Sequence, residues 1–215
     1  MRKFKKSLIV LLCLLLIPAV FIGCKPKEKA TSDEAAKILY DFLIKGDKTN
    51  LSKVDIPKTQ IDSAAAGRKE GLCNSIVLSF DKSALPITQE QVDQIYSACL
   101  DAFKKTTMTT EIVSQKEDNA DIKVKVTYVD FKAIYTKAGQ DMMKEVDSLK
   151  ISDKKAYVYK ASELYAKNII AGLKAAKPST STKEETFKFV AKEGQWIPND
   201  ILTYCSHLSK LVTGQ

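Results

Sequence analysis

Histidine is almost missing from this chain: His207 is the only one in 215 residues. Zinc and iron centres draw on several imidazoles or on clustered thiolates. The nearest thiol, Cys205, lies two residues away, and on a helix that spacing points the two side chains apart. His207 therefore reads as a helix-surface residue, and no metal or other cofactor is expected. Glycine and proline are also few, at eight and six residues. No glycine-rich run of the kind that cradles phosphate is present. Acidic residues are scattered along polar faces, so no carboxylate pair is poised for acid–base work. Internal repeats are lacking as well.

The nucleophile patterns that do occur are thin. Ser79-Phe80-Asp81-Lys82 and Ser152-Asp153-Lys154-Lys155 both match Ser-x-x-Lys, the spacing that sets a lysine beside a nucleophilic serine in penicillin-recognising enzymes. The accompanying Lys-Thr-Gly and Ser-Asp-Asn elements are absent, and helix capping accounts for Ser152. Cys73 and His207 form a thiol–imidazole pair only on paper. Cys73, Cys99 and Cys205 each fall on the apolar side of an expected helix, where burial raises a thiol pKa and makes it inert. Three is an odd number, which allows one disulfide at most. Tyr157, Tyr159 and Tyr165 suit a ligand groove or ordinary packing equally well. No catalytic residues are therefore assigned.

Charge is concentrated at the start. Arg2, Lys3, Lys5 and Lys6 precede an apolar run from Leu8 to Ile22 that is broken by Pro18. The run is short for a membrane span and has the layout of a secretory signal. Its cationic flank would stay cytoplasmic, so the rest of the chain would face outward. The run ends in Phe21-Ile22-Gly23-Cys24, which resembles the lipobox of bacterial lipoproteins, with Phe21 where Leu is usual and Ile22 where a smaller residue is usual. The resemblance implies a diacylglyceryl group carrying palmitate-type chains on Cys24 and cleavage just before it. Two acyl chains suffice for stable anchoring where one is marginal. An ordinary cleavable signal or an uncleaved anchor helix are the alternatives.

The expected organisation is a signal over residues 1–23, a lipidated cysteine and tether over 24–31, and one domain over 32–215. Loss of the signal lowers the net charge from +8 to +4. That excess is mild and dispersed, so no nucleic-acid partner is expected. The lysines at 25, 27 and 29 lie in the tether, where each can add up to about 1 kcal/mol of attraction to anionic lipid heads.

Periodicity then lays out the domain. Thr31 with Glu34 makes a capping box, and Ala35, Ile38, Leu39, Phe42 and Leu43 form an apolar stripe that Gly46 ends. Pro57 suits the first turn of a second helix, carrying Ile61, Ala65, Leu72, Ile76 and Phe80, where the helix-propensity cost of Gly67 and Gly71 leaves room for a kink or a break. Thr88 and Gln91 cap a third helix, which runs to Phe103. The period switches to two over Met108–Val113. It continues, past a polar turn at Lys116–Ala120, over Ile122, Val124, Val126 and Tyr128, with Lys123, Lys125 and Thr127 on the wet side. Helical spacing returns from Phe131 to Leu149, and again after Ser152, the expected cap, through Leu173. A loop over Lys177–Lys183 precedes a strand at Phe187 and Phe189, a turn at Glu193-Gly194 and a short strand at Trp196. Asn199 or Asp200 caps a last helix holding Ile201, Cys205, Leu208 and Val212.

Helices segregated from antiparallel strands imply an α+β fold, with both hairpins joined in one bent sheet of about four strands covered by helices. The stretch Phe42-Leu43-Ile44-Lys45-Gly46-Asp47, together with the late Glu193-Gly194-Gln195-Trp196, is similar to small NTF2-like or cystatin-like lipoproteins of low-GC Gram-positive bacteria. The chain is most similar to a clostridial lipoprotein family known only as a domain of unknown function. That resemblance implies a cone of bent sheet around a long helix. It brings no catalytic residues with it. The helices between the hairpins and the terminal helix depart from the simplest NTF2-like plan.

The expected function is a membrane-anchored extracytoplasmic lipoprotein of the cell envelope, held to the cell membrane through lipid on Cys24. It would bind a surface protein, a wall component or a small apolar ligand without catalysis. Two other readings stay open. One is an NTF2-like hydrolase or isomerase whose acids meet only on folding. The other is an envelope scaffold subunit using the Lys123, Lys125 face.

Overall fold

Alternating apolar residues in the second half of the chain build a single antiparallel sheet. In the computed structural model, which describes residues 29–54 and 58–214, its strands are β1 (Met108–Lys116), β2 (Asn119–Thr127), β3 (Thr182–Lys192) and β4 (Gln195–Pro198), in the order β1-β2-β3-β4. The two hairpins meet along β2 and β3, where Ile122 lies opposite Phe187 and Ala120 opposite Phe189. Ile122, Val124, Val126 and Phe189 are fully buried on one face, as their alternation predicts. On the other face Lys125 faces Glu111 at 3.7 Å and Glu184 at 3.9 Å.

Both hairpin turns are tight. The first is confined to Glu117 and Asp118, so the strands reach Lys116 and Asn119 and leave less turn than the sequence suggests. At the second turn Glu193 and Gly194 both have positive φ, the geometry that matches the twist of the flanking strands. Lys183, expected in a loop, belongs to β3 because the backbone there pairs with the far end of β2.

The helices are α1 (Ser32–Tyr40), α2 (Lys58–Asp81), α3 (Gln89–Lys104), α4 (Phe131–Ser148), α5 (Lys154–Ala175) and α6 (Ile201–Val212). α1 and α6 cover the apolar face of the sheet. The buried Tyr204 hydroxyl of α6 donates to the Ala36 carbonyl of α1, and its ring meets Phe187 and Phe189 edge-on. α4 and α5 form an antiparallel pair that packs against α3, and α2 leans on α3.

Several helix starts follow the sequence. The backbone N–H of Thr31 donates to Glu34, and Thr88 and Gln91 form the full capping box. Asp200, rather than Asn199, caps α6. Ser152 does not cap α5. Asp153 does, its carboxylate accepting from the Ala156 amide at 2.7 Å. The helix begins one residue later than Ser152 would require, and a carboxylate also suits the positive end of the helix dipole. α2 runs unbroken through Gly67 and Gly71. The flanking Ala64, Ala65 and Ala66, all strong helix formers, offset the glycine cost. Pro57 and the signal with its lipobox, Phe21, Ile22, Gly23 and Cys24, lie outside the described residues.

Candidate functional site

Past Tyr40 the first helix does not stop but loosens into a π-turn, Asp41–Lys45, closed by Gly46 in the left-handed conformation (φ 75°). This wider turn presents Leu43 and Ile44 to the underside of α2. α2 packs on one side only, and a groove runs beneath it. An inner cavity of about 240 Å³ lies between the π-turn, α2, α3 and α6. A more open outer cavity of about 520 Å³ continues toward the start of α4. The two share Leu72, Ser75, Phe103, Ser209 and Thr213.

The groove has an aromatic wall. Phe103 stacks on Phe131 at 5.2 Å between ring centroids, and Phe131 on Tyr135 at 6.4 Å. Tyr135 meets Tyr165 edge-on, and Tyr165 leans on Phe80. Burial pushes the Tyr135 and Tyr165 hydroxyls above the ordinary phenol range. Four of the hydroxyls along the groove are turned onto their own helices. Ser75 donates to the Gly71 carbonyl, Ser79 to Ile76, Ser209 to Cys205 and Thr213 to Ser209.

Arg68 of α2 lines the inner cavity. Its guanidinium lies against Gly46, where a Cβ would stand 2.7 Å from Nη2. Nη1 donates to the Ile44 carbonyl at a long 3.4 Å, so the cation sits at the negative end of the first helix. Its Nε is buried with no hydrogen-bond partner among the described residues. Lys132 and Lys210 line the outer cavity, and no carboxylate lines either one.

Of the residues singled out in the sequence, Ser79 lines the outer cavity, Cys205 lines the inner one and Tyr165 backs the aromatic wall, while the others fall elsewhere. His207 pairs through Nδ1 with Glu185. Cys73 has Lys69 and Asp93 as its charged neighbours, and burial raises its thiol pKa. The thiol–imidazole pair is therefore not assembled. No disulfide joins Cys73, Cys99 and Cys205 to one another. Cys99 and Cys205 are buried, whereas Cys73 is only half-buried because α2 is covered on one side. Among the tyrosines, Tyr159 is exposed and Tyr157 donates to Asp147, so neither belongs to the groove, and Tyr165 backs its aromatic wall. Ser79 of the first Ser-x-x-Lys stretch does line the outer cavity, with its hydroxyl committed to Ile76. Lys123 and Lys125 are balanced by Glu111 and Glu184 on a solvated face. The described carboxyl groups whose pKa moves are Asp47, Glu145 and Asp200, and all three are lowered by hydrogen bonds. Among the described residues no cluster of His, Cys, Asp and Glu is suited to a metal. No helix there is long and apolar enough to cross a membrane.

Nothing in the sequence marks Arg68. It is one cation among 34, and only the packing of α2 over the π-turn marks it.

Comparison with known proteins follows the same outline. A family model described as "Domain of unknown function (DUF5105)" matches residues 27–210. No curated protein matches the chain. Among solved structures the fold is similar to a Bacillus subtilis protein described as a "putative lipoprotein (ycdA)", with a TM-score of 0.61 at 16% identity. The match covers 84% of this chain and 55% of that one, so this chain spans about half the length of its structural neighbour.

Proposed function

We propose that this chain, which belongs to the DUF5105 family, is a lipid-anchored extracytoplasmic binding protein of the Gram-positive cell envelope, and that the groove beneath α2 is its ligand site. The observation that carries the reading is the continuous apolar groove. Its aromatic wall and clear volume fall in the range of small-molecule pockets, and no carboxylate or imidazole lines it to do chemistry. The ligand is a small molecule with an apolar body.

The anchor rests on the sequence, with Gly23-Cys24 at the edge of the apolar run, and the lipoprotein description of the structural neighbour is consistent with it. In NTF2-like domains the hollow lies between helix and sheet. Here the corresponding space is filled by Leu39, Tyr40, Tyr204 and Phe189, all nearly inaccessible. The hollow lies instead among the helices.

The test is binding of the neutral fluorophore N-phenyl-1-naphthylamine to the full chain in nanodiscs, with empty nanodiscs subtracted. The native chain should bind saturably. Ser75→Trp, which places an indole in the space shared by both cavities, should abolish binding while leaving the melting temperature close to native. Equal binding by the two chains would remove the groove as the site.

A further inference from the structure

Arg68 is partly buried, and its Nε is enclosed without a hydrogen-bond partner among the described residues. A guanidinium taken out of water needs a counter-charge or a full set of acceptors. Among the described residues Arg68 has neither: its acceptor is the Ile44 carbonyl at 3.4 Å, its Nε has no partner, and it makes no ion pair with a carboxylate. The helix end beneath it supplies partial negative charge, which accounts for its position but leaves the Nε without an acceptor among the described residues.

No groove hydroxyl hydrogen-bonds to Arg68, and Ser75, Ser79, Ser209 and Thr213 donate to carbonyls of their own helices. The charged donors that line the groove are Arg68, Lys132 and Lys210. Lys132 and Lys210, at the outer cavity, make no ion pair with any described residue, and no acid lines the groove to oppose them. The charge of the lining is thus wholly positive, and its body is apolar.

Resting on the reading of the groove as a ligand site, we infer that the ligand is an anionic amphiphile. Its oxyanion head is met by Arg68 in the inner cavity, and its apolar body lies along Leu72, Phe103 and Phe131. A guanidinium suits either a carboxylate or a phosphate monoester, since both offer two oxygens to its fork. Arg68 is then the residue that selects the head group.

The test uses the full chain in nanodiscs and four water-soluble probes of one chain length: octanoate, octyl phosphate, octanol and octylamine, titrated calorimetrically against empty nanodiscs. The anionic probes should bind tighter than octanol by roughly tenfold or more, the worth of one charged hydrogen bond, and octylamine should bind weakest. Whichever of octanoate and octyl phosphate is tighter identifies the head. Arg68→Met should erase the preference for anions and leave octanol binding unchanged, whereas Arg68→Lys should keep part of it. If Arg68→Met fails to fold, Lys132→Gln with Lys210→Gln provides the second arm, lowering anion affinity alone. Octylamine binding as tightly as octanoate would overturn the head-group assignment while the groove reading stands. Failure of all four probes to bind would overturn both.

Discussion

Thr106 has one hydroxyl proton and two buried neighbours within reach of it. It donates to the Phe103 carbonyl at 2.6 Å, so at the 2.5 Å contact with Tyr40 the phenol must be the donor. This relay ties the end of α1 to the end of α3, directly behind the groove. Thr106→Val keeps the shape but strands the buried Tyr40 hydroxyl. The expected loss is about 1–3 kcal/mol, read as a lower urea midpoint with an unchanged slope.

The same tyrosine sets an alkaline limit. Burial pushes Tyr40 up to about 12 from the ordinary 10. Between those values the unfolded chain releases a proton that the folded chain retains, so its contribution to stability is whole below pH 10 and is lost as pH rises toward 12. Burial raises Tyr135 and Tyr204 in the same direction. Stability should therefore fall over that window, and the tyrosinate absorbance of the buried tyrosines should appear only with unfolding, after that of Tyr128, whose pKa is lowered by hydrogen bonds to Ser179 and Ser181. Thiols offer an independent check. Burial lifts Cys99 to about 12, so in the native state alkylation should reach Cys73 first and Cys99 only on unfolding.

At the scale of elements, the sheet was largely legible in the sequence because one of its faces is wet. Ile122, Val124 and Val126 alternate with Lys123, Lys125 and Thr127, and a strict two-residue period admits one register. Helix starts were legible to within a residue wherever a capping side chain exists. The exchange of Ser152 for Asp153 shows the limit, since two adjacent residues can each cap and only packing chooses between them. The groove was not legible. It is made by α2, whose apolar positions Ile61, Leu72 and Ile76 mark an inward face without revealing that the face is only partly covered. The π-turn at Asp41–Lys45 has no composition of its own, because Phe42, Leu43 and Ile44 read simply as more apolar helix.

Gly46, by contrast, was visible as a terminator, and the structure gives it a second duty beneath Arg68. Gly46→Ala should cost roughly 1–2 kcal/mol for its left-handed backbone alone. A Cβ 2.7 Å from Nη2 must also displace the guanidinium. A chemical denaturation curve reads the first effect. A changed anion preference in the groove reads the second, and the exposed Gly194→Ala, also at positive φ, should reproduce only the first.

The whole molecule has two ends. Both hairpin turns lie at one end, and there the described chain begins, with Lys29 Nζ donating to the Glu193 carbonyl at 2.9 Å. α6 ends at the other, where the Val129 amide donates to Val212. The nine residues of β2 separate these ends by about 30 Å. Five residue steps lie between Cys24 and Lys29, and fully extended they span at most about 18 Å. Lipid on Cys24 would therefore hold the hairpin tips close to the bilayer and present the groove on the side away from it, open to molecules arriving from outside. A donor fluorophore on Glu117→Cys should transfer energy to a head-group acceptor more efficiently than one on Lys132→Cys, each in a Cys73→Ser background. Cys24→Ala should release the chain from the vesicles and abolish transfer at both positions. Equal transfer from the two positions of an anchored chain would mean that the domain lies on its side, and the groove would then have to be filled from the membrane instead.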